Sequence, residues 1–94
     1  MFGFAQVYGR ACVFDNAWVI SNARVYGNAR VYNKARVCGD ARVFSYSKVY
    51  GHAQVYDDAQ VYGNAQVHGY AQVSGNAQVY GNARVFDTMR IHGN

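Results

Sequence analysis

Residues 23–34 read Ala-Arg-Val-Tyr-Gly-Asn-Ala-Arg-Val-Tyr-Asn-Lys, which is two copies of one six-residue unit placed end to end. The same unit continues through the chain in both directions. Stepping by six residues, valine occupies fourteen successive positions from Val7 to Val85, and Ile91 follows. Alanine keeps the same spacing from Ala5 to Ala83, with Ser47 as its one exception. A repeat of this regularity indicates a solenoid in which each unit stacks on its neighbours.

Each unit divides into an extended part and a corner. In Ala23–Tyr26, Ala and Val alternate with Arg and Tyr, so the first pair faces a core and the second pair faces solvent. Gly27 and Asn28 suit a sharp corner because both residue types tolerate positive φ. We therefore expect a four-residue strand in every unit, and we expect a charge at Val43 or Val61 to prevent folding.

The spacing of an aliphatic residue and, four places later, a small residue resembles the hexapeptide-repeat family, the superfamily of bacterial acyltransferases. The resemblance covers residues 1–94 as a single domain, in a tyrosine-rich variant without interrupting loops. It implies an all-β fold: a single-stranded, left-handed parallel β-helix of triangular section, with about five coils of three hexapeptides. The handedness comes from the resemblance alone, because parallel crossovers are generally right-handed. With strands stacked about 4.8 Å apart, the prism should be about 24 Å tall.

Composition limits the classes of function. The 94 residues include no proline and carry a formal net charge of +4. No apolar run reaches the roughly 18 residues of a membrane span, and the N-terminus does not have the pattern of a signal peptide. We expect a cytoplasmic protein without membrane contact. Cys12 and Cys38 match no metal-binding spacing and fall on different faces of the prism, so no disulfide is expected between them.

In a coil of three units, residues eighteen apart stack on the same face. The first face then carries an aromatic ladder with bases beside it, and its candidate ligand-binding residues are Arg24, Tyr26, Arg42, Phe44 and Tyr62. Rings and guanidinium groups of this kind hold flat anions such as nucleotides. The alternative is structural, since stacked rings also stabilise neighbouring strands.

Five successive units place a base just before the valine, at Arg24, Arg30, Arg36, Arg42 and Lys48. These bases form a belt around all three faces. A nucleic-acid groove gathers its bases on one surface, so the belt argues against DNA or RNA as a partner.

The third face has the most apolar outward residues near the N-terminus: Phe2, Trp18, Ile20, Cys38 and Tyr56. Soluble proteins seldom leave such a patch bare. We expect it to form a subunit contact in a homo-oligomer, either a dimer or a trimer.

One corner column holds Asn22, Asp40, Asp58 and Asn76, with Asp57 beside Asp58. Stacked carboxylates repel each other unless something neutralises them, which makes Asp40 and Asp58 weak candidates for a cation site. Asp and Asn also simply suit corners, so we expect no metal.

The acyltransferase resemblance implies a histidine base and a loop that shapes the cofactor pocket. No loop interrupts this repeat, and His52, His68 and His92 have no carboxylate nearby in the repeat to orient them. We therefore expect no catalytic residue and no cofactor. Three functions remain in order of preference: a non-catalytic structural or interaction module that self-associates through its faces or ends, a binder of a small anionic ligand, and a divergent or truncated acyl-CoA-dependent acyltransferase.

Overall fold

The computed structural model describes residues 5–93. Fifteen strands account for the regular structure of this part, which contains no helix. The strands, in chain order, are β1 (Gln6–Val7), β2 (Cys12–Val13), β3 (Trp18–Val19), β4 (Arg24–Val25), β5 (Arg30–Val31), β6 (Arg36–Val37), β7 (Arg42–Val43), β8 (Lys48–Val49), β9 (Gln54–Val55), β10 (Gln60–Val61), β11 (Gln66–Val67), β12 (Gln72–Gly75), β13 (Gln78–Val79), β14 (Arg84–Val85) and β15 (Arg90–Gly93).

The strands form three parallel sheets of five strands each, which are the three faces of the prism. The first face has the order β1-β4-β7-β10-β13, the second β2-β5-β8-β11-β14 and the third β3-β6-β9-β12-β15. Val7 pairs with Val25, eighteen residues further on, so three units make one coil. The molecule measures 26 × 21 × 21 Å. The predicted β-helix of about five coils and triangular section is confirmed; its left-handed winding stays a prediction.

The core consists of the inward valine and alanine columns. Every valine from Val19 to Val73 has no exposed surface. Burial of a valine side chain contributes about 1.5–3 kcal/mol, so the columns together stabilise the stack. Ser47 replaces alanine in this core without leaving a polar atom unpaired, because its Oγ lies 2.8 Å from the carbonyl oxygen of Phe44 and 3.2 Å from that of Val61.

The corners explain why most strands are two residues long and not four as the alternation predicted. The first corner residue of every unit from Gly9 to Asp87 has a φ between 53° and 70°. This turn directs the amide of the alanine that begins the next unit back onto the preceding unit, as when Ala29 N–H donates to the Tyr26 carbonyl oxygen at 3.4 Å. That amide therefore leaves the ladder between coils. Within residues 5–93, positive φ is confined to the first corner residue, whereas the sequence suggested that both residues could adopt it.

Candidate functional site

The first face holds the predicted ligand-binding residues together. Tyr26, Phe44 and Tyr62 stack in parallel, with ring centroids 4.9 Å and 5.0 Å apart. Arg24 and Arg42 lie beside this ladder as direct Cα partners on β4 and β7. The rings therefore cover one another, and each offers mainly its edge to solvent. This arrangement stabilises the sheet whether or not a ligand binds.

The edge between the third and first faces places acids next to these two bases. A groove of about 470 Å³ there is lined by Gln6, Asn22, Arg24, Asp40, Arg42 and Asp58. Asp40 and Asp58 thus share the groove with two guanidinium groups, whose positive charges oppose the repulsion between the carboxylates. Among residues 5–93, no group of three or more His, Cys, Asp or Glu side chains is arranged to hold a metal ion.

Asp57, the first residue of the same corner, accepts a hydrogen bond from the backbone. Its Oδ2 accepts the N–H of Gly75 from the next coil at 3.1 Å. Asp15 does the same for Asn33 at 3.2 Å on another edge. An aspartate at the first corner position therefore ties one coil to the next.

The third face brings together the predicted contact residues that the structure describes; Phe2 lies outside the described residues. Trp18 is 47% exposed, and Ile20, Cys38 and Tyr56 are half-buried. The guanidinium carbon of Arg36 lies 5.9 Å from the centre of the Trp18 ring, within the range of a cation–π contact. A groove of about 500 Å³ follows this strip and includes Ile20, Cys38 and Tyr56 in its lining.

The thiols lie on different faces, as predicted, since Cys12 belongs to β2 and Cys38 directly follows β6. Both are free. Burial raises the pKa of the Cys38 thiol, and the nearby Asp57 carboxylate raises it further against the opposing effect of Arg36. Cys38 is therefore a neutral, apolar contributor to the third face at neutral pH.

Each histidine ring is engaged by a neighbour in the fold. His52 stacks on Tyr70 at 4.8 Å, and His68 stacks between Tyr50 and Phe86. His92 is bonded through Nδ1 to the hydroxyl of Ser74, at 2.9 Å.

The Ser74 and His92 pair was missed by sequence reasoning. The two residues stand eighteen apart in one column, so their proximity was visible in the repeat. Ser74 is almost fully buried. Its hydroxyl therefore serves the contact between coils and is poorly placed to reach a substrate.

The edge between the first and second faces was also missed. A groove of about 420 Å³ is lined there by Asn28, Arg30, Tyr46, Lys48, Asn64 and Gln66. The spacing already indicated this groove, because corner residues 28, 46 and 64 each lie two positions before an outward residue of the second face. A division of the repeat into faces separates the two columns that meet across this corner.

Comparison with known proteins places the chain in a repeat family. A family model described as the YdcK beta solenoid repeat matches residues 5–20, 23–37, 53–69 and 77–93. The chain belongs to this beta-solenoid repeat family. The matched segments lie in the first two coils and again from the third coil to the fifth, so the family describes the stacked repeat itself. Neither the curated proteins nor the solved structures contain a match to the chain.

The described part of the chain has no helix long and apolar enough to cross a membrane.

Proposed function

We propose that this chain is a non-catalytic interaction module that self-associates through its third face. The observation that carries the proposal is the apolar strip of Trp18, Ile20, Cys38 and Tyr56 along the N-terminal half of that face. On the other two faces the same outward columns are filled by rings that stack and cover each other. The third face has no such ladder between its successive residues Ile20, Cys38 and Tyr56, so its apolar surface can be covered by a partner.

A second copy of the chain is the occupant that fits this surface. A two-fold axis through the strip would place apolar residues of one copy against those of the other. A prism 26 Å long and 21 Å wide presents roughly 500 Å² on one flat face, so two faces together bury about 1,000 Å², at the lower limit of a specific interface. The expected association is therefore weak and depends on protein concentration.

Sedimentation velocity over a wide concentration range tests this proposal. The wild-type chain should pass from monomer to dimer as concentration rises, and Trp18→Ala should remain monomeric over the same range. Trp18 is exposed, so the substitution should leave the fold intact, which circular dichroism can check. Tyr80→Ala is the matched control, because Tyr80 is an exposed aromatic residue at 58% on the first face.

Tyr80→Ala should associate like the wild type. A wild-type chain that stays monomeric at every concentration contradicts the proposal. Equal association of Trp18→Ala and the wild type also contradicts it, and so does equal loss of association in both variants.

The finer family assignment remains part of this proposal. Left-handed winding and membership of the acyltransferase superfamily rest on the resemblance of the six-residue repeat. Transferase activity has little support from the site, because His52 and His68 lie in ring stacks and His92 is bonded to Ser74. We therefore place self-association ahead of catalysis.

A further inference from the structure

The groove between the first and second faces has one repeated arrangement over three coils. Each coil contributes a corner residue and, two positions later, an outward strand residue. The three pairs are Asn28 with Arg30, Tyr46 with Lys48, and Asn64 with Gln66. The groove therefore combines two cations, several amide groups and one aromatic ring within about 420 Å³.

The two cations of this groove oppose each other directly. Arg30 on β5 and Lys48 on β8 are Cα partners in parallel register, on strands about 4.8 Å apart. Like charges in this position destabilise a sheet. No carboxylate lines the groove, and neither base forms an ion pair within residues 5–93. An anion bound between them would remove the repulsion and gain two charge-assisted hydrogen bonds.

The second pair of opposed bases, Arg24 and Arg42, differs from this one in having acids nearby. Arg24 and Arg42 are also Cα partners, but Asp40 and Asp58 line the same groove as they do. The chain supplies its own counter-charges on that edge. In contrast, the groove of Arg30 and Lys48 has no carboxylate in its lining.

Tyr46 adds an aromatic surface to the cation pair. It is 65% exposed, the highest value among the exposed large apolar side chains of the described residues. Its column neighbours are Asn28 and Asn64, which are shorter than tyrosine, so no ring ladder covers it. An exposed ring beside cations is a platform on which a nucleic acid base can stack, and base stacking of this kind contributes about 1–3 kcal/mol.

We propose that this groove binds a nucleoside phosphate. The phosphate group lies between the guanidinium of Arg30 and the ammonium of Lys48, and the base stacks on Tyr46. The side-chain amides of Asn28, Asn64 and Gln66 donate hydrogen bonds to the remaining phosphate or sugar oxygens. The groove lies on an edge away from the strip of the third face, so this proposal does not rest on self-association.

Calorimetric titration with ADP at low ionic strength tests the cation pair. The double variant Arg30→Gln with Lys48→Gln should weaken ADP binding at least tenfold. Glutamine is the natural occupant of the same outward position at Gln66, so the variant should fold normally.

The matched control is Lys34→Gln with Arg90→Gln. It removes the same number of charges from positions outside the groove, and it should change ADP binding less than twofold. Equal weakening in both double variants would show that the protein attracts anions only through its net charge, which overturns the proposal. The absence of ADP binding to the wild-type chain overturns it as well.

Pyrophosphate and adenosine test the phosphate part and the nucleoside part of the ligand separately. ADP should bind more tightly than pyrophosphate to the wild type, and adenosine should bind more weakly than either. Tyr46→Ala should remove the advantage of ADP over pyrophosphate while leaving pyrophosphate binding unchanged. If ADP and pyrophosphate bind equally to the wild type, the base does not stack on Tyr46 and the assignment to nucleotides is wrong.

Discussion

Two runs of five units, one from each half of the solenoid, differ at one outward position. Just before the valine, five successive units of the first half carry a base and the next five carry glutamine: Arg24, Arg30, Arg36, Arg42 and Lys48, followed by Gln54, Gln60, Gln66, Gln72 and Gln78. Both series occupy equivalent strands and pair in the same parallel register. The fold therefore accepts either residue type there.

The consequences of the two series are different. Glutamine adds contacts between coils, as when the Tyr62 hydroxyl donates to Oε1 of Gln78 at 3.3 Å. Bases bring like charges into opposition at Arg24 with Arg42 and at Arg30 with Lys48. Glutamine would stabilise the fold at these positions, but the chain has a base there. We therefore infer that such a base serves binding. The groove proposed to bind a nucleoside phosphate contains one of these opposed pairs, Arg30 with Lys48.

The largest expected effect comes from a change to the core that both halves share. Val43→Asp in the base-rich half and Val61→Asp in the glutamine half each bury a carboxylate where the native side chain has no exposed surface. Each should cost more than about 4 kcal/mol and abolish cooperative thermal unfolding. Circular dichroism melts would measure this.

Val13→Asp is the control for that pair, because Val13 lies in the first coil and is only half-buried. It should cost less than either interior change. A clear difference between Val43→Asp and Val61→Asp would mean that the two halves do not share an equivalent core.

The corners should give the next largest effect. Gly63 has a φ of 70°, and a Cβ atom there would lie 2.7 Å from the backbone nitrogen of Gly81 in the next coil. Gly63→Ala should therefore cost more than the about 1–2 kcal/mol of the left-handed conformation alone, measured by urea unfolding. Gly81 has a φ of 64° with nothing within 4 Å of the added atom.

Gly81→Ala isolates the conformational cost from the contact. It should cost less than Gly63→Ala. Equal losses would show that the stacking of corners between coils is loose enough to accept a methyl group.

The repeat predicted the fold because its periodicity carries the necessary information. Val and Ala at fixed intervals require an inward column, and a coil of eighteen residues brings Tyr8 onto Tyr26, with ring centroids 5.0 Å apart. The short strands did not follow from the pattern, because the alternation of side chains does not say which amide closes a corner. Ala29 N–H bonds to the carbonyl oxygen of Tyr26 in the preceding unit and not to the next coil.

The candidate sites could be predicted only in part for a related reason. Residues on one face are related by simple multiples of the repeat, so the sequence already placed Ile20, Cys38 and Tyr56 in one column of the third face. The groove of Arg30 and Lys48 joins two columns across a corner, as at Tyr46 and Lys48, and its lining depends on how sharply the chain bends there. The bases that share a groove with Asp40 and Asp58 depend on the same kind of bend.

The smallest expected effect is on stability at the position where the halves differ. Arg30→Gln with Lys48→Gln makes the first half resemble the second, and it should raise the free energy of unfolding by about 0.2–1 kcal/mol because the opposed charges are removed. Gln66→Arg is the reverse change, since residue 66 pairs directly with Lys48 in the groove that no carboxylate lines, and it should lower stability by a similar amount. Both shifts should shrink in high salt, which screens exposed charges. Urea unfolding in the absence of nucleotide, at low and high ionic strength, measures them.

If Arg30→Gln with Lys48→Gln lowers stability at low salt, the two bases do not repel each other in the free protein, and the electrostatic reason for placing an anion between them is lost.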